Sequence, residues 1–420
     1  MTAAAGAQPF DIADVTPPPE ASAQFGASID GAGGLVAVGD PGAERVFVFR
    51  REGSRLVLDG QVLPDRLSPA TGFGAVINLN LSRTRIFEGG GHYTLAVGAP
   101  DVDSFEIFIR CQNGQLPDQT FPPRPGTDDP GFFAPRPCRE SGWASFDALI
   151  PGSLSFSAGD TGIGTGIQFE NDTIYVGAPR GLREDELEEP YPDGVVIILD
   201  YYRLAALGTM ELSQSTAGTF LTPPAGVTGK GATSADFGAA VSVNNGKLSV
   251  GAPSANLAAG LVGLYQQIAS NLEDPLNVQT VSTTEGPAAF SEFGASVSLD
   301  SSLTVAVGSP GIDQGAVTLL QFDDPNASLA LDVPADASNF GTSVKLAGNL
   351  AIIGALAGGK PTAILRTVFG GGKGVETRLN GDQVASANRQ IFSAADSGAG
   401  TVQAALDSEV LFANGLEISP

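Results

Sequence analysis

The residues whose types and spacing best suit recognition chemistry are arginines, in a chain that carries 46 acidic against 22 basic residues. A guanidinium fork pairs with carboxylates in a bidentate way, and arginines beside aromatic side chains are frequent interaction hot spots. Together with Trp143, the arginines of this chain predict a surface for an anionic polysaccharide or a carboxylate-bearing protein. The alternative is that they only neutralise local acidic surface. The arginines are Arg83, Arg85, Arg110, Arg124, Arg136 and Arg139.

A second cluster is acidic and occupies residues 180–193. A run of carboxylates is usually a solvated loop. The carboxylates are Glu184, Asp185, Glu186, Glu188, Glu189 and Asp193.

Signatures of enzymes are weak in this chain. His92 is its one histidine, which excludes a metal site built from several histidines and leaves a His-based triad a single candidate. Residues 370–374 resemble a phosphate-binding loop, but Gly374 stands where Ser or Thr is needed. Paired carboxylates for glycoside cleavage have no diagnostic spacing, so a polysaccharide lyase or hydrolase with a site on the propeller axis remains an alternative. No catalytic residue is predicted.

Charge and hydropathy exclude two further classes. A net charge of −24 and a pI near 4.2 repel phosphate backbones, which argues against nucleic-acid binding. No run of 18 apolar residues is present, so no membrane span is predicted. The first residues lack the basic start and apolar segment of a signal peptide, and we expect such a peptide to have been removed from an extracellular or cell-surface protein.

Both cysteines, Cys111 and Cys138, lie in one proline-rich insertion at 111–141. Two cysteines confined to one irregular loop predict a disulfide, which stabilises by about 3 kcal/mol in the loop-closure picture. A disulfide favours an oxidising compartment.

These residues are set in a chain of sequence repeats. Phe-Gly pairs recur along the chain, and most are followed fourteen residues later by a Gly-Ala-Pro-like motif. Each unit divides into four short strands, which predicts an all-β single domain over 1–420: a seven-bladed β-propeller of four-stranded antiparallel blades. The blades are expected to start near 25, 73, 163, 237, 293, 340 and 399. The pairs are Phe25-Gly26, Phe73-Gly74, Phe237-Gly238, Phe293-Gly294 and Phe340-Gly341.

Closure of the ring is also predicted. The seventh unit leaves no room for a fourth strand, whereas residues 9–15 read like the fourth strands of other units. We expect the N-terminal strand to pair with the last blade as three strands plus one.

These motifs resemble the FG-GAP repeat family, the seven-bladed propeller at the head of integrin α subunits and of many secreted or surface bacterial proteins. The resemblance implies a non-enzymatic adhesion or assembly module that binds a protein or polysaccharide. It also makes the acidic loop at 180–193 a candidate site for a cationic partner or a divalent ion. It also implies calcium in the loop between strands 1 and 2, but loops such as 243–246 and 299–302 lack three alternating carboxylates. Calcium therefore stays possible, and no cofactor or metal site is predicted.

One further alternative is that the protein is a structural subunit of an extracellular assembly, including an assembly of identical copies. In that case the insertion would dock on a neighbouring copy through Phe132 and Phe133.

Overall fold

The computed structural model describes most of the chain. The described residues are 10–52, 55–65, 72–83, 91–113, 138, 141–145, 161–171, 173–181, 193–200, 218–227, 229, 234–268, 277–324, 327–347, 350–367, 377–380, 383–387, 390–394 and 402–407. Their strands pair into seven sheets, and every strand pairing within them is antiparallel. No helix in these ranges is long and apolar enough to cross a membrane.

The chain begins with β1 (Phe10–Val15) and then builds the sheets in chain order. Sheet 1 holds β2 (Ser28–Ala32), β3 (Leu35–Asp40), β4 (Arg45–Glu52) and β5 (Arg55–Val62). Sheet 2 holds β6 (Val76–Arg83), β7 (Gly91–Ala99), β8 (Ser104–Arg110) and β9 (Trp143–Ser145). Sheet 3 holds β10 (Ile167–Glu170), β11 (Thr173–Ala178), β12 (Val195–Asp200) and β13 (Gly218–Leu221).

The later sheets follow the same plan. Sheet 4 holds β14 (Ala240–Asn244), β15 (Lys247–Ala252), β16 (Leu261–Ile268) and β17 (Asn277–Glu285). Sheet 5 holds β18 (Ser296–Leu299), β19 (Thr304–Ser309), β20 (Ala316–Gln321) and β21 (Ser328–Ala330). In sheet 6, β22 (Ala337–Ser338) and β23 (Val344–Ala347) both pair with β24 (Leu350–Ala357), which is followed by β25 (Lys360–Thr367) and β26 (Thr377–Asn380). Sheet 7 holds β27 (Gln383–Ala387), β28 (Gln390–Ala394), β29 (Val402–Asp407) and β1.

The sheets are arranged around an axis. The innermost strand of each sheet packs on that of the next, in the order β2, β6, β10, β14, β18, β23 and β27, and β27 packs on β2. Apolar clusters fill the spaces between neighbouring sheets; one joins Val48 and Val62 of sheet 1 to Phe108 and Trp143 of sheet 2. The predicted β-propeller of antiparallel four-stranded blades is confirmed.

The N-terminal strand pairs with the last sheet as expected, from Phe10 opposite Asp407 to Val15 opposite Val402. The predicted start of the seventh unit near 399 needs correction, because its first strand, β27, begins at Gln383. This strand reads Gln-Val-Ala-Ser-Ala, and no Phe-Gly pair directly precedes it as in the other units. The match at 399–401 precedes the third strand of the sheet, so its spacing does not mark a blade start.

The Phe-Gly repeat has a steric cause at the junctions between sheets 1 to 6. Phe237 is fully buried, and Gly238 has φ +97°, a conformation that favours glycine. The Gly238 N–H donates to the carbonyl of Gly251 at 3.0 Å. A Cβ on Gly251 would overlap the carbonyl oxygen of Gly294 in the next sheet. Glycine at positions 238 and 251 therefore allows the backbones of neighbouring sheets to come into contact.

Candidate functional site

Polar side chains converge on the propeller axis. Five residues after the Phe or Ile of successive repeats stand Asp30, Asn78, Gln168, Ser242, Ser298 and Lys345, each on an innermost strand. We call this set the axial ring.

Most members of the axial ring bind the backbone of the neighbouring sheet. The Asp30 carboxylate accepts from the Leu79 N–H at 2.9 Å and from the Asn78 side chain at 3.0 Å. Asn78 Oδ1 in turn accepts from the Phe169 N–H at 2.8 Å. These N–H groups lie on innermost strands, whose edges would otherwise be left without a hydrogen-bond partner.

Sheets 4 to 6 repeat the arrangement with a shorter side chain. Ser242 Oγ accepts from the Leu299 N–H, and Ser298 Oγ accepts from the Leu346 N–H, both at 3.0 Å. Ser242 and Ser298 thus accept backbone hydrogen bonds from the neighbouring sheet, as Asp30 and Asn78 do in sheets 1 and 2.

Lys345 closes the axial ring on its other side. Its Nζ lies 3.5 Å from Asp30 Oδ1, which joins sheet 6 to sheet 1, while the Asp30 side chain is only 8% exposed. Asp30 is therefore held by three groups from sheets 2 and 6. Among the described axial side chains, Asp30, Asn78, Ser242, Ser298 and Lys345 are engaged in contacts between sheets, so their convergence has a structural explanation.

The loops between first and second strands are closed by protein groups. In sheet 5, Asp300 Oδ1 accepts from the N–H groups of Ser302 at 2.9 Å and Thr304 at 3.1 Å. In sheet 4, Asn245-Gly246 forms the two-residue turn that was predicted. Glu170 of sheet 3 accepts from both N–H groups of that turn, at 2.6 and 2.9 Å. Within the described residues no three His, Cys, Asp or Glu side chains form a metal-binding group.

The predicted disulfide is confirmed. Cys111 and Cys138 are bonded, with their Cα atoms 6.1 Å apart. The Cys111 N–H also donates to the Gly142 carbonyl at 2.8 Å. The two ends of the insertion are thereby tied together where β8 ends and β9 begins.

Arg110 has a partner inside the protein. Its Nη2 lies 2.6 Å from Asp59 Oδ2 of sheet 1, and its guanidinium lies 5.9 Å from the centroid of the Tyr93 ring. Asp59 Oδ1 also lies 3.2 Å from Arg50 Nε. Arg110 thus joins sheets 1 and 2, whereas its expected role was to bind a ligand.

Trp143 is buried at 1% exposure in the core between sheets 1 and 2. It lines a cavity of about 470 Å³ together with Phe108, Leu58 and Leu63. His92 is also buried, and its Nδ1 lies 3.3 Å from Gln112 Nε2.

The remaining predicted site residues divide into two groups. Asp193 lies before β12, where its carbonyl accepts from the Phe237 N–H at 3.0 Å and its carboxylate from the Gly229 N–H at 3.2 Å. Arg83 lies at the end of β6. The others fall outside the described residues: Arg85, Arg124, Arg136, Arg139, Glu184, Asp185, Glu186, Glu188 and Glu189.

A site that sequence reasoning missed lies between sheets 4 and 5. Leu257 is in the loop from β15 to β16, and Phe290 is in the connection from β17 to β18. Their exposures are 59% and 54%, and the Phe290 N–H donates to the Leu257 carbonyl at 3.4 Å. Ala288 and Ala289 beside them are exposed as well. We call these four residues the Leu257–Phe290 patch.

The backbone of the patch is unusual. Asn256, Leu257 and Ala258 have φ of 50°, 62° and 60°, and Phe290 has φ of 64°. L-residues with a Cβ pay about 1–2 kcal/mol in this left-handed region, and Leu and Phe have no polar group to offset that penalty. The conformational preference of leucine and phenylalanine therefore does not explain why they occupy these positions.

Carboxylates surround the patch. Glu285, Glu292 and Asp313 are all exposed, and Glu285 also accepts from Asn256 Nδ2 at 3.0 Å. The three loops, 253–260, 286–295 and 310–315, contain no lysine or arginine. The geometry is that of an apolar protrusion with an acidic rim. The sequence carries no signal for it, because the left-handed turns use ordinary residues in short loops.

Comparison with known proteins shows a likeness of fold alone. No family model and no curated protein matches the chain. The fold is similar to the crystal structure of Saccharomyces cerevisiae Sqt1, with 11% sequence identity, a TM-score of 0.45, and coverage of 92% of this chain and 96% of that chain.

Proposed function

We propose that this protein is a non-enzymatic binding or assembly module that docks a protein partner through the Leu257–Phe290 patch. The observation that carries the proposal is the pair of exposed apolar side chains held in left-handed turns. Strained backbone conformations cluster at functional sites, and exposed apolar groups rimmed by polar ones mark interaction surfaces.

The propeller supplies the scaffold for this role. In the proposal, the seven sheets form the closed seven-bladed ring of an FG-GAP protein, latched by β1. Support comes from the cyclic packing of the innermost strands and from the glycine contacts at the junctions. A rigid ring presents its loops at low entropic cost, because little ordering is needed on binding.

The proposed location is extracellular or on the cell surface. Support comes from the disulfide between Cys111 and Cys138, because such bonds persist in oxidising compartments. The engagement of Asp30, Asn78, Ser242 and Ser298 in contacts between sheets favours a binding module over an enzyme that works on the axis.

Photo-crosslinking tests the proposed function. Phe290 is replaced by p-benzoylphenylalanine, and the protein is irradiated with the secreted and surface fraction of its source. The matched control carries the same group at Leu329 of β21, which is 55% exposed outside the patch. We expect a discrete adduct from position 290 alone, and a dimer of this chain would identify self-assembly. Equal labelling from both positions, or none from position 290, would refute docking through the patch.

A further inference from the structure

We infer that the cavity between sheets 1 and 2 binds a small organic amine with an apolar body. We call it the Trp143 cavity; it is lined by Glu20, Leu58, Leu63, Phe108 and Trp143, among others, and its volume is about 470 Å³. Ligand pockets in proteins commonly have volumes of about 300–1,000 Å³. The cavity lies between other sheets than the Leu257–Phe290 patch, so this inference goes beyond the proposed function and does not rest on it.

Most side chains in the wall of the Trp143 cavity are apolar. Leu58 in β5 and Leu63 just after it are 46% and 41% exposed, so both present apolar surface to solvent. Phe108 and Trp143 of sheet 2 are buried and form the inner part of the wall. A ligand with an apolar body would remove this surface from water, which is the main favourable term in such binding.

The wall is held in place by contacts between the two sheets. A Cβ on Gly60 would lie 2.7 Å from the Ser141 carbonyl oxygen, so β5 lies directly against the chain that enters β9. Arg110 Nη2 of sheet 2 lies 2.6 Å from Asp59 Oδ2 of sheet 1. Because these contacts fix both sides of the cavity, little of the wall has to be ordered when a ligand binds.

The charge of the lining favours a cation. Of the described residues that line the cavity, Glu20 alone is charged, and it is exposed. Two nearby arginines contact protein groups: Arg45 Nη1 donates to Gln61 Oε1 at 3.0 Å, and Arg110 lies against Asp59. An ammonium group beside Glu20 would be attracted, and the net charge of −24 strengthens that attraction, whereas a carboxylate would be repelled.

Fluorescence of Trp143 tests the inference directly, because Trp143 is the one tryptophan of the chain. The protein is titrated with phenethylamine, phenethyl alcohol, phenylacetate and ethylamine, which differ in charge or lack the ring. We expect a saturable change in Trp143 emission with phenethylamine. Phenethyl alcohol should bind about fivefold more weakly, because it lacks the charge that pairs with Glu20. Phenylacetate and ethylamine should bind more weakly still.

Variants of the lining locate the binding site. Glu20→Gln removes the charge and keeps the shape of the side chain, so phenethylamine should bind about fivefold more weakly and phenethyl alcohol should be unaffected. Leu58→Lys places a cation in the wall and should abolish phenethylamine binding. Val57→Lys is the matched control, because Val57 is 40% exposed on the same strand and lies outside the lining. It should change the affinity by less than about twofold.

Thermal melts show that each variant is folded and give a second measure of binding, since a ligand that binds only the folded protein raises its melting temperature. Equal affinity for phenethylamine and phenethyl alcohol, or equal losses in Leu58→Lys and Val57→Lys, would overturn the inference. So would unchanged Trp143 emission together with an unchanged melting temperature at millimolar phenethylamine. Crosslinking from position 290 bears only on the proposed function, so the two proposals can fail separately.

Discussion

The axial ring and the Leu257–Phe290 patch show opposite relations between side chains and the backbone. On the axis, polar side chains converge as they would in an active site, yet Asp30 and Ser298 bind N–H groups of neighbouring sheets. At the patch, Leu257 and Phe290 are exposed and sit in a backbone conformation that disfavours them. The axial side chains thus have a structural explanation in the contacts between sheets, whereas the left-handed conformation of Leu257 opposes stability.

The largest effect should come from the junctions that hold the ring. Gly251→Ala places a Cβ on the Gly294 carbonyl and should lower the free energy of unfolding by about 3 kcal/mol, measured by urea titration. Gly34→Ala is the control, because nothing lies within 4 Å of that Cβ position. If the two variants lose equal stability, close packing at the junction is not what requires glycine.

The next effect concerns Asp30. Asp30→Ala removes the acceptor of two hydrogen bonds and the partner of Lys345, which leaves a buried N–H and a partly buried ammonium uncompensated. We expect a loss of about 2–3 kcal/mol by the same titration. Asp323→Ala removes the exposed partner of Lys247 and should change stability by less than about 1 kcal/mol. An Asp30→Ala protein of unchanged stability would contradict the structural role of Asp30 and would favour a catalytic role on the axis.

A smaller effect is expected from Ser298. Ser298→Ala leaves the Leu346 N–H without its acceptor and should lower stability by about 1 kcal/mol. Ser301→Ala, on the exposed loop that follows β18, is the matched control and should have little effect. Equal losses would show that the axial hydrogen bond contributes nothing.

The sequence predicted the fold where a residue type was sterically required. Gly238 needs a positive φ, and Gly251 has no room for a Cβ. Glycine therefore recurs at most junctions between sheets. The start of the seventh unit was predicted wrongly, because no such motif directly precedes β27. Cys111 and Cys138 were paired correctly because one loop held both.

The candidate site could not be predicted in the same way. Asp30 and Leu79 meet only because the register of two distant strands aligns them, and no local pattern reveals this. Arg110 was grouped with arginines near it in sequence, but its partner Asp59 comes from another sheet. Leu257 and Phe290 are residue types that ordinarily avoid left-handed turns, so their backbone conformation was invisible until the fold was known.

The melting temperature of Leu257→Asn shows whether Leu257 is kept in its left-handed conformation at the expense of stability. Asparagine tolerates the left-handed region, so the variant should gain about 0.5–1 kcal/mol and melt higher than the unaltered protein. Val281→Asn, at an exposed position in β17, is the control and should melt slightly lower, because asparagine is disfavoured in strands. A lower melting temperature for Leu257→Asn would contradict the account, because it would show that Leu257 stabilises the fold.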